Sequence, residues 1–158
     1  SKVTFNAVGA GDKSGSFMFT IVNRDDSCSF RYTEEEAKAG GFKQVEIPIV
    51  TLNEMVSNNA TLPFPDLVKI DAEGLDINVL EGASDLMGKT EVFIVQAALF
   101  CKEFDNSLLK MVEKKKKKGY SLFEISDLNR PFQPQVLWLV ELAFVKKGGI
   151  IDNYKINY

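Results

Sequence analysis

The stretch that decides the fold runs from Leu67 to Ala83 and reads LVKIDAEGLDINVLEGA. It opens with a short apolar run that is typical of a buried strand, and this run stops at the acidic turn DAEG, residues 71–74. The apolar residues that follow repeat at helical spacing as far as Gly88: Leu75, Val79, Leu80, Ala83, Leu86 and Met87. The pattern predicts a strand, a tight turn and a helix.

The same alternation continues towards the carboxyl terminus. A second apolar run covers residues 91–99, a helical pattern covers residues 107–118, and residues 120–125 and 136–145 are strand-like. Strands that alternate with helices are typical of βαβ units, in which helices cover a parallel sheet. We therefore expect an α/β fold whose sheet is mainly parallel with an antiparallel edge.

Three further strand-like runs precede the deciding stretch. Residues 3–8 and 16–22 flank a turn rich in Gly and Asp, which favours a β-hairpin or a strand that returns along a sheet edge. Residues 44–51 alternate as a strand does. Pro48 cannot donate a backbone hydrogen bond, so we expect this strand at an edge, or the proline at a strand end.

Short helices and a basic segment complete the pattern. Thr33 begins a capping-box motif that predicts a helix over residues 34–39, and residues 52–57 are expected to form one or two helical turns. Lys114–Lys118 is interpreted as the solvated end of a helix, where cations complement the helix dipole. The phenylalanines are assigned to the core: Phe17, Phe19, Phe30, Phe93, Phe100, Phe123 and Phe144.

The composition bounds the function. A length of 158 residues, 45% of them hydrophobic and 26% charged, indicates a single domain over residues 1–158. With 19 basic and 22 acidic residues the net charge is −3, which disfavours a nucleic-acid partner held by a basic surface. The sequence contains no histidine, which excludes histidine-dependent nucleophilic dyads and histidine-ligated metals.

The cysteines and the hydropathy of the sequence indicate the cellular compartment of the protein. Cys28 and Cys101 match no metal-binding spacing and are expected to be reduced thiols of an intracellular protein. No segment reaches the roughly 18 apolar residues of a membrane-spanning helix. We therefore expect a cytoplasmic protein with no membrane partner.

The acidic turn is the candidate site. Ligands of open α/β sheets bind outside the carboxyl ends of the strands, where Asp71 and Glu73 are predicted to lie. Two carboxylates there can accept a proton, bind a cationic cofactor or hold a metal ion, although a metal-dependent hydrolase needs more carboxylates than this turn supplies. Alternatively, Asp71 caps the following helix and Glu73 interacts with its dipole.

The deciding stretch resembles a known signature. Residues 68–83, VKIDAEGLDINVLEGA, are similar to the LKID-x-EG-x-E-x-x-VL-x-GA pattern of FkbM-type methyltransferases, which depend on S-adenosylmethionine. Further similar segments follow the family's order: AVGAGDKSG at residues 7–15, VTLN at 50–53, GYSLFE at 119–124 and VELAFV at 140–145. The resemblance covers nearly the whole chain.

The resemblance implies a fold and an activity. It implies a Rossmann-like class I methyltransferase sheet and methyl transfer to a hydroxyl of a small molecule or sugar. By the same resemblance, Asp71 is the catalytic residue nearest the methyl sulfonium of S-adenosylmethionine and the acceptor, and it also contacts the cofactor. Glu73 orients the acceptor or takes its proton, Ala7 and Val8 line the adenine side, and no metal takes part.

Two elements of the family pattern are missing from this sequence. The glycine-rich strand–turn–helix has no counterpart, since Gly9-Ala10-Gly11 leads into another strand. The second strand ending in an acid, which follows that element in the family, is missing as well. Asn53 and Gln96 also stand where the family commonly has Asp and Glu. We therefore expect the carboxyl-terminal two-thirds of such a domain, a partial sheet without its first two strands, and weak binding of S-adenosylmethionine by this chain alone.

A partial sheet has consequences for partners. The strand expected at residues 3–8 would lose its usual neighbours and expose an apolar edge, which favours a homodimer or a separate partner at that edge. The alternative function is a non-catalytic remnant or interaction module that keeps part of the methyltransferase sheet.

Overall fold

The computed structural model describes residues 3–22, 32–59, 63–100, 105–131 and 133–154. The predictions for Cys28, Phe30 and Cys101 lie outside these residues. The described strands are β1 (Gly9–Ala10), β2 (Gly15–Ile21), β3 (Lys43–Val50), β4 (Leu67–Ile70), β5 (Val92–Ala98), β6 (Tyr120–Asn129) and β7 (Leu139–Lys146). The described helices are α1 (Glu34–Ala39), α2 (Leu52–Ser57), α3 (Asp76–Glu81) and α4 (Leu108–Lys117).

The first sheet has three strands in the order β1-β3-β2. β1 pairs with β3 in parallel, and β2 pairs with β3 in antiparallel register from Gly15↔Ile49 to Ile21↔Lys43. The β-hairpin alternative is therefore wrong, because no strand forms over residues 3–8 and because β3 lies between β1 and β2 in the sheet. The alternative of a strand returning along a sheet edge is confirmed for β2.

Pro48 lies within β3, the central strand of the first sheet. The expectation of an edge strand is therefore wrong for β3 as a whole. β1 pairs only with Ile49 and Val50, so among the described strands β3 has a neighbour on the β2 side alone as far as Pro48. The proline is tolerated where one side of its strand is open.

The second sheet has four strands in the order β4-β5-β7-β6. β4 and β5 are parallel, whereas β7 runs antiparallel to both β5 and β6. The mixed α/β architecture is confirmed. The expectation of a mainly parallel sheet is wrong, because the described strands form two sheets and their antiparallel pairings outnumber the parallel ones. The Rossmann-like class I sheet stays a prediction. A short connection between β6 and β7 turns the chain back and enforces antiparallel pairing.

The helices begin where the sequence indicates. Thr33 and Glu36 form a reciprocal capping box at the start of α1, and Thr51 and Glu54 form another at the start of α2. α3 is shorter than the predicted helix because it ends at Gly82 and is followed by a single 3₁₀ turn over Ser84–Leu86. Within the described ranges, no helix combines the length and apolar character needed to cross a membrane.

The main core lies between the second sheet and the helices that follow β4 and β5. α3 packs on β5, and α4 packs on β5 and β6. The buried residues of this core are Ile70, Ile77, Val79, Leu80, Ala83, Leu86, Phe93, Val95, Ala97, Met111, Tyr120, Val140, Leu142 and Phe144. Phe93 and Phe144 thus lie in the core as predicted, whereas Phe123 is 56% exposed because it belongs to the edge strand β6.

One lysine of the basic segment is buried. Lys115 is 1% exposed, and its Nζ lies 3.1 Å from the centre of the Phe93 ring and 4.7 Å from that of Tyr120. The prediction of a solvated segment is wrong at this position, because Lys115 follows Met111 by one helical turn and shares its inward face.

The two sheets meet at the end of α3. The main chain at Gly11 lies so close to Gly82 that no side chain fits there. Asn53 joins the same contact: its backbone N–H donates to the Gly82 oxygen at 2.9 Å, its side-chain amide donates to Ser84 Oγ at 2.9 Å, and its Oδ1 accepts from the Asp85 N–H at 3.0 Å. This junction holds the β1–β2 turn beside the end of β4.

Candidate active site at the carboxyl end of β4

The acidic turn leaves β4 directly after the buried residue Ile70. Asp71 is exposed, and the Leu75 N–H donates to the Ala72 oxygen at 3.0 Å to close the turn. Glu73 has φ 49° and Gly74 has φ 98°, so two successive residues occupy the left-handed region. A non-glycine residue in that region is uncommon and marks a turn that its surroundings hold in place.

Asp71 does not cap the helix that follows. The N-cap residue of α3 is Leu75, whose side chain makes no capping hydrogen bond. The capping alternative for Asp71 is therefore wrong, which leaves its carboxylate available on the open side of the turn.

Asp76 lies beneath the turn and is fully buried. Its Oδ1 accepts from the backbone N–H groups of Ala72 and Gln96, each at 3.4 Å, and its Oδ2 accepts from Asn106 Nδ2 at 3.0 Å. Burial raises the pKa of the Asp76 carboxyl, and the backbone donors oppose that rise. The carboxylate thus connects the turn to the end of β5.

Asn106 completes the connection from the other side. Its Nδ2 also donates to the Gln96 oxygen at 3.2 Å, and its Oδ1 accepts from the Ile77 N–H at 3.3 Å. The backbone carbonyl oxygen of Asn106 accepts a hydrogen bond from the Ala98 N–H at 3.0 Å. Asn106 therefore links the end of β5 to the first turn of α3.

A cavity of about 390 Å³ opens above the turn, between β1 of the first sheet and β4 of the second. It is lined by Gly9, Ala10, Phe19, Leu52, Val68, Lys69, Ile70, Asp71, Ala72, Glu73, Leu75 and Val79. The structure thus brings Asp71 and Glu73 together at one cavity. Ala7 and Val8 directly precede the lining residues Gly9 and Ala10; Ala7 is exposed and Val8 is half-buried.

Lys69 carries the positive charge nearest the two carboxylates of the lining. Its Nζ lies 2.5 Å from Glu141 Oε2, and Glu141 also accepts from Ser126 Oγ at 2.7 Å. The hydrogen bond and the charge of Glu141 raise the pKa of Lys69, with a smaller contribution from Asp71, and Lys69 in turn lowers the pKa of Glu141. Lys69 is therefore held as a cation by a carboxylate of β7, which lies two strands away across β5.

Sequence reasoning missed the two buried residues of the site. Asp76 stands within the deciding stretch at the last acidic position of the signature, which was the signal available for it. Asn106 directly precedes a predicted helix, and no pattern in the sequence distinguishes it. Among the described residues, no cluster of three or more metal-ligating side chains is present.

Comparison with known proteins identifies one family. The family model described as the methyltransferase FkbM domain matches residues 1–122, which is well over half of the chain. No curated protein and no solved structure matched the sequence.

Proposed function

Because the chain belongs to the family of FkbM methyltransferase domains, we propose that it takes part in methyl transfer from S-adenosylmethionine to a hydroxyl of a small molecule or sugar. The observation that supports the proposal is the pair of carboxylates, Asp71 and Glu73, in the wall of a cavity at the carboxyl end of β4. This is the end of a parallel pair at which α/β proteins bind their ligands.

The residues of the cavity fit S-adenosylmethionine in size and charge. A volume of about 390 Å³ falls within the range of small-molecule sites, roughly 300–1,000 Å³. The cofactor is cationic at its sulfonium and amino groups, and the Asp71 carboxylate would interact with those charges, while Phe19, Leu52 and Val79 offer apolar surface. Ala7 and Val8 would lie towards the adenine.

Each carboxylate has a role in this proposal. When bound, S-adenosylmethionine supplies a methyl group activated by a positively charged sulfur. Asp71 would lie nearest the sulfonium and the acceptor, and most of the rate enhancement would come from positioning the two reactants. Glu73 would take the proton that the acceptor hydroxyl loses when its oxygen receives the methyl group and the methyl–sulfur bond breaks.

The proposal includes weak cofactor binding by this chain. In the described part of the cavity wall, the charged side chains are Lys69, Asp71 and Glu73, and Lys69 is engaged by Glu141. We expect titration calorimetry with S-adenosylmethionine to give an affinity weaker than low micromolar. A low-micromolar dissociation constant would contradict this part of the proposal.

The experiment is a methyl-transfer assay at millimolar S-adenosylmethionine with methyl glycosides as acceptors. We expect Glu73→Gln to lower kcat by about 100-fold, because a general base contributes that much or more. Asp71→Asn is expected to raise KM for the cofactor by about tenfold through the loss of a charge-assisted contact. Glu46→Gln, a change at an exposed carboxylate of β3, is the matched control.

The outcomes separate the two functions considered. Transfer that depends on Glu73 but not on Glu46 supports the methyltransferase. Transfer that is equal in all variants, or absent in the unsubstituted chain, overturns the proposal and favours a non-catalytic interaction module.

A further inference from the structure

The acidic turn adopts an uncommon backbone conformation. Glu73 and Gly74 lie in the left-handed region, and the Leu75 N–H bond to Ala72 closes the turn locally. A left-handed conformation at a non-glycine residue costs of order 1–3 kcal/mol and persists only where the surroundings impose it. The surroundings that contact this turn from below are the Asp76 carboxylate and the groups bound to it.

The contacts around Asp76 require an acceptor at both oxygens. Backbone N–H groups of Ala72 and Gln96 point at Oδ1, and the Asn106 amide donates to Oδ2. An asparagine at position 76 would replace one carboxylate oxygen by an NH₂ group. That group is a donor and would face one of these donors, so no hydrogen bond could form there. The site is therefore selective for an anionic or acceptor-only group, and an amide of the same shape does not satisfy it.

Asn106 makes the arrangement rigid. It is 2% exposed and bonds at once to Asp76, to the Gln96 oxygen and to the Ile77 N–H. Through Asp76 and Asn106, the turn after β4, the end of β5 and the start of α3 become one hydrogen-bonded unit. The Asp76–Asn106 pair joins three elements next to the turn that carries the two proposed catalytic carboxylates. It therefore determines where those carboxylates lie.

We propose that Asp76 and Asn106 are positioning residues, which fix the acidic turn so that Asp71 and Glu73 both border the cavity. This inference rests on the proposed methyl transfer. Both side chains are buried: Asp76 contacts the turn through the Ala72 N–H, and Asn106 holds Asp76. They therefore act through Asp71 and Glu73 and do not touch the substrate.

The competing explanation is that Asp76 merely stabilises the fold, and a matched variant separates the two. Thr90 is also fully buried and lies just before β5, at the opposite end from Gln96, where its Oγ1 donates to the Pro65 oxygen at 2.9 Å. Thr90→Val also removes a buried hydrogen bond, but far from the turn. Asp76→Asn and Thr90→Val are compared at a temperature where circular dichroism shows both to be folded.

Kinetics provide the first readout. With methyl glycosides and S-adenosylmethionine, we expect Asp76→Asn to lower kcat at least tenfold and Thr90→Val to leave kcat within twofold. Asp76→Glu, which keeps the acceptor character, is expected to recover part of the loss. Equal effects of Asp76→Asn and Thr90→Val on kcat would overturn the inference.

Amide hydrogen exchange provides a second readout that does not depend on activity. We expect the Ala72 and Gln96 amides to exchange at least tenfold faster in Asp76→Asn than in Thr90→Val, with the Leu142 amide of β7 as internal reference. If the unsubstituted chain shows no methyl transfer, the proposed function fails, and this measurement still decides whether Asp76 holds the turn. Should Asp76→Asn fail to fold, Asn106→Ser takes its place in both measurements. Unchanged exchange at Ala72 and Gln96 overturns the inference.

Discussion

The buried Lys115 is predicted to make stability depend on pH. Lys115 contacts the rings of Phe93 and Tyr120, with Phe144 at 6.0 Å, and its Nζ lies 3.9 Å from Met87 Sδ. Burial lowers the pKa of the Lys115 ammonium to about 6 from its ordinary value of 10.5. The faces of the aromatic rings attract a cation and oppose this fall.

The shifted pKa predicts how stability depends on pH. The unfolded chain binds more protons than the folded chain between about pH 6 and pH 10.5, so the free energy of unfolding rises as the pH rises through this window. Lys115→Met removes the cost of burying the amine. We expect it to raise the free energy of unfolding at pH 7 by about 1 kcal/mol or more and to flatten the pH dependence.

Urea unfolding at intervals from pH 6 to pH 10 measures both effects. Lys116→Met, at the exposed neighbouring position, is the control and is expected to leave the slope unchanged. A steep slope that survives in Lys115→Met would show that another group determines the pH response.

The elements show where sequence patterns suffice. The capping box at Thr33 predicted α1 at the correct residues because the signal is local: a hydroxyl and a carboxylate satisfy the N–H groups of their own helix. The helical turns expected over residues 52–57 are also present, and the structure shows a second capping box there at Thr51. Strand partners were harder to predict, because β2 pairs with β3 across an intervening helix and nothing in residues 3–22 specifies that choice. Pairing between distant strands is decided by packing.

The candidate site divides in the same way. Asp71 and Glu73 were predictable because they follow an apolar run at the place where α/β sheets bind ligands. Asn106 was not, since its role depends on the Asp76 carboxylate 30 residues earlier, which only the folded chain brings within reach. Lys115 was predicted to be solvated but is buried, because a run of five lysines gives no sign of which one lies on the inward face of the helix.

The junction between the sheets gives a prediction for one element. A Cβ atom at Gly82 would overlap the Gly11 carbonyl and lie 3.3 Å from Thr51 Cβ, so Gly82→Ala must push the first sheet away from the end of α3. Forced repacking of this kind costs typically 1–3 kcal/mol, and we expect the free energy of unfolding to fall by about 2 kcal/mol.

Gly15→Ala is the control for this change. At Gly15 a Cβ atom would meet only the end of the Phe17 ring at 3.3 Å, and a side chain can move where a main chain cannot. Chemical denaturation of both variants tests the junction. Equal losses of stability would mean that the contact between Gly11 and Gly82 does not hold the sheets together.

For the whole molecule, we predict self-association at the edge of the first sheet. Among the strands that the structure describes, β1 pairs with β3 alone, and the preceding residues Val3 and Phe5 are 86% and 87% exposed. Apolar side chains beside an open strand edge favour pairing with another chain, and we propose a second copy as the occupant. Sedimentation at micromolar concentration is expected to show a dimer that Phe5→Asp dissociates.

The control for association is Phe123→Asp, which changes an exposed aromatic residue on β6, the far edge of the second sheet. It is expected to leave the dimer intact. A monomeric unsubstituted chain would contradict self-association at any edge, and a dimer lost only in Phe123→Asp would move the contact to β6.

At Glu73, whose backbone is left-handed, thermal stability and the proposed catalytic activity favour different residues. Glycine adopts φ 49° freely, whereas a residue with a Cβ atom pays roughly 1–2 kcal/mol there. A laboratory selection for thermal resistance alone would therefore be drawn towards Glu73→Gly, which relaxes the chain and deletes a carboxylate in one step. Directed evolution of this protein needs an activity screen at every round, because a substitution that raises thermal stability lies at the position where the proposed reaction would be lost.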